Sequence, residues 1–449
     1  MISRLLFSRI DNSPLIAFRI LFGILISLES FGAILTGWVR RTLVEPEFTF
    51  SFIGFEWLQP LPGSGMYYYF ALMGLMGIFV ALGYRYRLSM VAFTLLWTGS
   101  YLMQKTAYNN HYYLLVLISS IMCFFPAHRA YSLDSRKTPE IRKDDMPALV
   151  KWIIISQLFI VYTCAAVAKL YTDWLDFSFI SQLMESGADY FLIGPFLQQP
   201  WVHKAVGIFG ILFDFGVVPL LLYKPTRKWA FAASLFFHLF NSLVFQIGIF
   251  PYLSLAFTVF FFEPETIRRL FFPSKRKPAR NHFKKPEHVP AILGVLCLYF
   301  CLQAGLPLRH HFIRGDVLWT EEGHRMSWRM MLRSRSGNLA FRVVDKESGA
   351  AELVRLEDWL SDKQARKVQA YPDFAWQFAQ RLRNHYLETG RHISVYVSGM
   401  VRVNRRNPAP LIDPETDLAA VPWDPFRHHP WILPSPYAQP DPQPYEKGH

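Results

Sequence analysis

Charge is what this sequence has least of for its size. In 449 residues it carries 34 Asp and Glu against 47 Lys and Arg, and the charged residues together make up 18% of the chain. An ordinary soluble protein has about 25%, so a water-exposed globule of this length is excluded. Cysteine is scarce too. Cys123, Cys164, Cys297 and Cys301 all fall inside apolar stretches, which excludes a disulfide-stapled scaffold and makes them packing residues. Cys297 and Cys301 lie one helical turn apart without further His or Cys nearby to complete a ligand set, so no metal is expected. After residue 310 there is no apolar run long enough to cross a bilayer, and between 170 and 200 there is no Lys or Arg. A cleavable signal is also missing: "PLIAFRILFGILISLESFGAIL" is too long for one, lacks a small-residue cleavage site, and is expected to stay as a span. The lack of an inverted repeat of short, broken helices argues against a transporter.

What remains is apolar and aromatic, 52% and 16% of the chain. Windows of about 18–20 apolar residues, enough to cross ~30 Å of hydrocarbon, recur near 14–37, 66–83, 88–104, 111–126, 149–169, 202–223, 229–247, 249–262 and 289–307. The expected fold is an all-α polytopic membrane bundle of about nine transmembrane helices (1–308) followed by a small α+β extracytoplasmic domain (309–449). The net charge of +13 resolves by loop. Arg4 and Arg9, Arg85 and Arg87, the cluster from Arg129 to Lys143, Lys224 to Lys228, and "RRLFFPSKRKPARNHFKK" all fall on one side under this count. By the positive-inside rule that side is cytoplasmic, with the N-terminus inside and the tail outside. The basic run at 275–285 is then a topology signal, and no nucleic-acid partner is expected.

In the tail, "NLAFRVVD" (338–345) and "HISVYVSGMVRV" (392–403) alternate like strands, and "PDFAWQFAQRLRNHYLE" between them has helical spacing. Past residue 405 the chain is proline-rich and is expected to wrap over the surface without regular elements, its last ten residues frayed.

Polar groups are expensive inside a bilayer, so the places where they persist point to function. "YNNHYYLL" puts Asn109, Asn110 and His111 at the outer end of the fourth span. "AAVAKLYTDWL" puts Lys169, Asp173 and Trp174 at the outer end of the fifth. "FFHLFNS" sets His238 and Asn241 three residues apart on one helix face. "IFPYLSLA" breaks at Pro251 near the same level. Together they describe a polar pocket opening outward, beside an aromatic loop, 170–200, suited to the interface. Lys169 is the ambiguous member. A lysine at a span end is commonly a snorkelling anchor, yet this end is the one depleted of Lys and Arg, and Ala165, Ala166 and Ala168 beside it let helices pack close. Histidines of this kind also serve as interhelical hydrogen-bonding glue, and Glu29 and Asp214 stand equally as structural partners or active groups.

With these residues in place, "YNNHYYLL", "AAVAKLYTDWL", "FHLFNSLVFQIGIFPYLSLA" and "WTEEGHRMSWRMMLRSRSG", in that order, resemble the vitamin K-dependent gamma-glutamyl carboxylase family, whose membrane part is the horizontally transferred transmembrane domain. The resemblance runs from about residue 10 to residue 435. It implies that Lys169 is the base that deprotonates vitamin K hydroquinone, and that His111 serves the later carboxylation steps. It implies that Asn110, His238, Asn241 and Phe250 line the quinone site, with Trp328, Met330, Met331 and Arg335 on a segment that closes over the naphthoquinone. Reduced vitamin K would be the cofactor, with O2 and CO2 as co-substrates, and the partners would be the membrane quinone and a glutamate-containing peptide or protein. Physical chemistry agrees in outline: an amine among apolar side chains becomes a usable base, and excluding water protects the strongly basic oxygenated quinol.

The sequence departs from the family at several points. Animal members carry two adjacent lysines where this chain has Ala168-Lys169. Gly323, His324 and Arg325 replace a Leu-Tyr-Gly in the string that helps to recognise glutamate, and Arg329 replaces an Asp. The tail stops soon after "PWILP", so the external region that binds propeptides is expected to be largely missing and the chain to be a short, bacterial-type member of the inner membrane. Two readings stand side by side: a quinol oxygenase with or without coupled carboxylation, and a non-catalytic protein that keeps the bundle to bind a quinone, a lipid or a partner.

Overall fold

A computed structural model describes residues 2–278 and 287–437. Most of the basic run at 275–285, and the last ten residues, lie outside the described residues. The chain divides into two compact units between Ala304 and Gly305.

The first unit is helical. Its principal helices are α1 (Ser13–Leu35), α2 (Gly65–Leu82), α3 (Tyr86–Met103), α4 (Asn110–Phe124), α5 (Ala148–Ala168), α6 (Pro200–Leu222), α7 (Arg227–Phe245) and α8 (Phe250–Phe257), and α9 (Val289–Leu308) leads out of it. Every expected span therefore exists as a helix, but among the described residues only six are long and apolar enough to cross a membrane: α1, α2, α5, α6, α7 and α9. The count of nine is not reached, for local reasons. α3 has the length, but its Ser, Thr, Tyr and Trp side chains dilute its hydropathy. α4 has 15 residues, about 22 Å at 1.5 Å per residue, and α8 has eight before it tightens into a 3-10 turn, Thr258–Phe260. α4 and α8 also carry Asn110, His111 and Phe250. Pro251 falls in the first turn of α8, where its missing N–H is one of the helix's orphan donors anyway, so it starts that helix instead of breaking one.

α1 and α2 pack backbone to backbone. A Cβ on Gly23 would lie 2.3 Å from the Ala81 nitrogen, and one on Gly77 would lie 2.7 Å from that of Ser27, the close approach that small residues permit between membrane helices. The expectation for the cysteines is corrected in part: Cys297 and Cys301 are exposed on α9.

The loops that carry the basic clusters are tied together at one end. Strand β1 (Arg9–Asp11) pairs antiparallel with β2 (Asp145–Pro147). Asp11 accepts from the fully buried Lys275 ammonium at 2.6 Å, which also donates to the Asp144 carbonyl. The Asp134 carboxylate takes the backbone N–H of Arg85 and Tyr86, and Arg227 reaches Glu263 at 3.1 Å.

The second unit mixes strands and helices around its own core. β4 (Ala340–Asp345) is the centre of a three-stranded antiparallel sheet, between β5 (Ala351–Leu353) and β6 (Ile393–Ser398). Its period-two burial turns Phe341 and Val343 inward, against Phe374, Phe378 and Leu382 of α10 (Pro372–Glu388). A second sheet joins β3 (Arg335–Gly337), β7 (Met400–Val403) and β8 (Ala409–Pro410). The single strand expected at 392–403 is thus two strands in two sheets. The chain pivots at Gly399, where φ is +143° and any Cβ would lie 2.7 Å from the Asn338 carbonyl oxygen, so only glycine fits. The proline-rich segment, expected to lack regular elements, contributes β8 and a bridge between Ile412 and Ile432, and is held by Asp413 N–H to the Trp431 carbonyl and Leu433 N–H to the Leu411 carbonyl.

Candidate functional site

Asn109, Asn110 and His111 are set by a helix start. The Asn109 side chain caps α4, accepting from the Tyr112 N–H at 2.7 Å, a standard way to satisfy an orphan donor. Asn110 is buried and takes the Tyr108 hydroxyl at 3.0 Å. His111, in the first turn, lies flat on Phe250 with ring centroids 3.7 Å apart and planes 14° from parallel. Phe250 also meets His238 edge-on at 6.1 Å, so one phenyl ring joins the two histidines.

His238 is buried on the inner face of α7, and its Nε2 pairs with the Tyr162 hydroxyl at 3.1 Å. Its Nδ1 has no partner among the described residues. Phe213 of α6 stands edge-on to both Tyr162 and His238. Asn241 shares the buried face but turns its amide to the Phe237 carbonyl of its own helix at 2.8 Å. On the other side, the Tyr112 hydroxyl donates to Glu29 of α1 at 2.8 Å.

Lys169 is the C-cap of α5, where a cation complements the helix dipole. Its amine does not reach out to water. Nζ lies 2.5 Å from Asp214 Oδ2, with both side chains buried, and 5.3 Å from the ring of Trp174. Trp174 is fixed in turn by its indole N–H to the Gly207 carbonyl at 3.1 Å. The snorkelling anchor is thereby excluded as a description of Lys169. Asp214 stands 45 residues further along the chain; the sequence marked it as a structural partner or active group without saying of what, and did not mark Tyr162. Their only signal was the presence of polar groups within apolar helices.

The four remaining expected residues lie in the second unit. Trp328 is buried, and Met330 and Met331 are half-buried. Met326, Trp328 and Met331 all have positive φ, at +60°, +57° and +51°, a cluster of left-handed conformations of the kind that concentrates at functional segments. Arg335 is anchored by Nη1 to the Leu318 and Trp319 carbonyls, both at 2.7 Å, and by Nε to the Ala370 carbonyl at 2.9 Å. Its Nη2 has no partner among the described residues. Beside it the buried Glu321 carboxylate is gripped by both Arg333 nitrogens and approached by Arg335 at 3.5 Å. Burial would raise the Glu321 carboxyl, but the Arg333 and Arg335 guanidinium groups hold it well below the usual carboxylate range. Burial, reinforced by Arg333, keeps His324 neutral far below the usual histidine range. Arg325 is turned to the buried Asp373 at 2.7 Å.

A helical bundle with six helices long and apolar enough to cross a membrane, holding a buried amine–carboxylate pair and a histidine–aromatic cluster, defines an integral membrane protein with polar groups in its interior. The HTTM domain model matches residues 7–265, more than half of the chain, and the model of the vitamin K-dependent gamma-carboxylase lumenal domain matches residues 289–438. The chain belongs to the vitamin K-dependent gamma-carboxylase family. No solved structure matches it.

Proposed function

We propose that the protein oxidises a vitamin K-like naphthohydroquinone with O2 to its epoxide, with Lys169 as the proton acceptor, and couples this to carboxylation of a glutamyl substrate with CO2. The observation that carries the reading is the Lys169 amine itself, buried at the helix end and aimed at a carboxylate, not at solvent. The surrounding residues fit the group. Phe250, Phe213 and Tyr162 offer flat apolar surface, and the unpartnered Nδ1 of His238 offers one polar contact to a ring oxygen. When bound, the quinol supplies the oxygen chemistry. Lys169 takes its hydroxyl proton, His238 and Asn241 orient the ring, and the aromatic side chains exclude water. His111 would serve the carboxylation half.

One observation favours the non-catalytic alternative: Lys169 is already satisfied by Asp214, as in a purely structural pair. Purified protein in lipid nanodiscs, supplied with reduced naphthoquinone and air, decides between them. Epoxide formation that disappears in Lys169→Ala supports the enzyme, and a wild-type chain that binds the quinol without oxidising it supports the alternative.

The same reading puts the protein in a bacterial inner membrane with the basic loops and N-terminus cytoplasmic and the second unit periplasmic, an orientation that requires α8 to cross in addition to the six longer helices. A periplasm-dependent reporter should be active when fused after residue 320 and silent after residue 145. The reverse pattern refutes this orientation.

A further inference from the structure

We propose that Asp214 is the positioning residue and proton partner of Lys169: amine and carboxylate share one proton, and Lys169 becomes a free base by passing that proton to Asp214. The inference rests on the reading of Lys169 as proton acceptor. Its geometry is that of a closed two-member relay. Nζ has a 2.5 Å contact to Asp214 Oδ2, a long 3.4 Å contact to the Ala165 carbonyl, and the Trp174 ring as its third neighbour. The side chains are 9% and 5% exposed, so neither is levelled by water. An isolated charge in such a place costs several kcal/mol, whereas an ion pair and a neutral amine beside a neutral acid have the same net charge of zero.

The proton moves from Nζ to Oδ2 along the existing hydrogen bond. Nζ then accepts a proton from a hydroquinone hydroxyl, and the new ammonium faces the negative charge left on the quinol oxygen while Asp214 stays protonated. One proton has moved to Asp214 and one to Lys169, and the site has remained neutral throughout. A lone lysine on a flexible four-carbon stem would lack both the anchor and the proton store.

Other titratable groups on the elements around the pair include Tyr162 and Cys164 on α5, Asp173 in the turn after it, His203 and Lys204 on α6, Glu185 on the short helix Ser178–Glu185, and His238 on α7; Lys151 on α5 and Arg227 and Lys228 on α7 belong to the opposite ends of those helices. Tyr162 is engaged with His238, and His203 with the Leu197 carbonyl at 2.8 Å. Lys204 and Glu185 are exposed.

The test has two readouts on the full chain in nanodiscs: acylation of Lys169 by acetic anhydride at neutral pH, read by peptide mass spectrometry, and the pH–rate profile of naphthohydroquinone oxidation. In Asp214→Asn the buried amine loses its counter-charge, so acylation should rise about tenfold or more. The kcat for oxidation should fall with little change in KM, and the wild-type pH dependence should be lost. Asp214→Glu should keep acylation low and move the pH profile. Equal acylation in wild type and Asp214→Asn overturns the proposal, as does a wild-type kcat and pH profile in that variant. Should Asp214→Asn not fold, Asp214→Glu decides: a proton partner one methylene longer shifts the profile, and an unshifted profile marks a merely structural acid. If the wild-type chain oxidises no quinol, the proposed function fails, and acylation alone still decides the pair.

Discussion

Each unit buries a carboxylate against a cation, and the two do it differently. In the membrane unit Asp214 meets one lysine and little else. In the second unit Glu321 is held by Arg333 through two nitrogens and approached by Arg335, both stacked near Tyr371. A guanidinium keeps its proton at any working pH and grips a carboxylate with a rigid fork, whereas an ammonium is a point charge that can become a neutral amine. The arginine site is therefore a lock that fixes the backbone around 318–335. The lysine site is an arrangement in which a proton can change hands. Burial alone does not make a buried ion pair functional: what matters is whether either partner can give up its charge.

The comparison breaks hardest at Glu321. Glu321→Gln leaves buried guanidinium charge without its carboxylate and should destabilise the second unit by about 3–5 kcal/mol, measured as loss of protection in hydrogen exchange over residues 318–335. Acid should reach the same unit in two stages. His324 is buried neutral, so stability begins to fall once pH drops below the ~6.5 at which the unfolded histidine charges. Glu321 ionises at lower pH in the folded than in the unfolded chain, so its contribution is complete above an unfolded carboxyl's ~4.3 and is lost as pH falls through the depressed folded value. Asp214→Asn should cost less stability than Glu321→Gln, because it removes the carboxylate from one cation where Glu321→Gln removes it from two. The smallest effect belongs to the exposed pair Arg355–Glu357 at 3.1 Å, where Arg355→Ala should leave the melting temperature unchanged, since water and salt already screen such contacts.

How much of this was legible in the sequence differs by feature. Helix positions were, because an apolar run is a local property: α5 and α6 lie within two residues of where hydropathy puts them. The number of helices long and apolar enough to span was not. α4 starts at its Asn109 cap but stops at Phe124, just before Pro126, and the continuity of apolar windows hides where a helix stops. Lys169, His111 and His238 stood out because polar groups are costly in hydrocarbon. His111 and His238 come together through Phe250, which the sequence marked only through its likeness to a family.

The sequence by itself determined a membrane protein of this family, its helical first part and α+β tail, and the lysine at the end of α5. Tertiary structure alone decided what that lysine touches, that α7 turns His238 towards Tyr162, and that Gly399 splits one apparent strand between two sheets. The physical reason is range. Hydropathy and periodicity are sums over neighbouring residues and can be read along the chain, whereas a buried charge finds its partner across helices, and Lys169 and Asp214 meet only because α5 packs against α6.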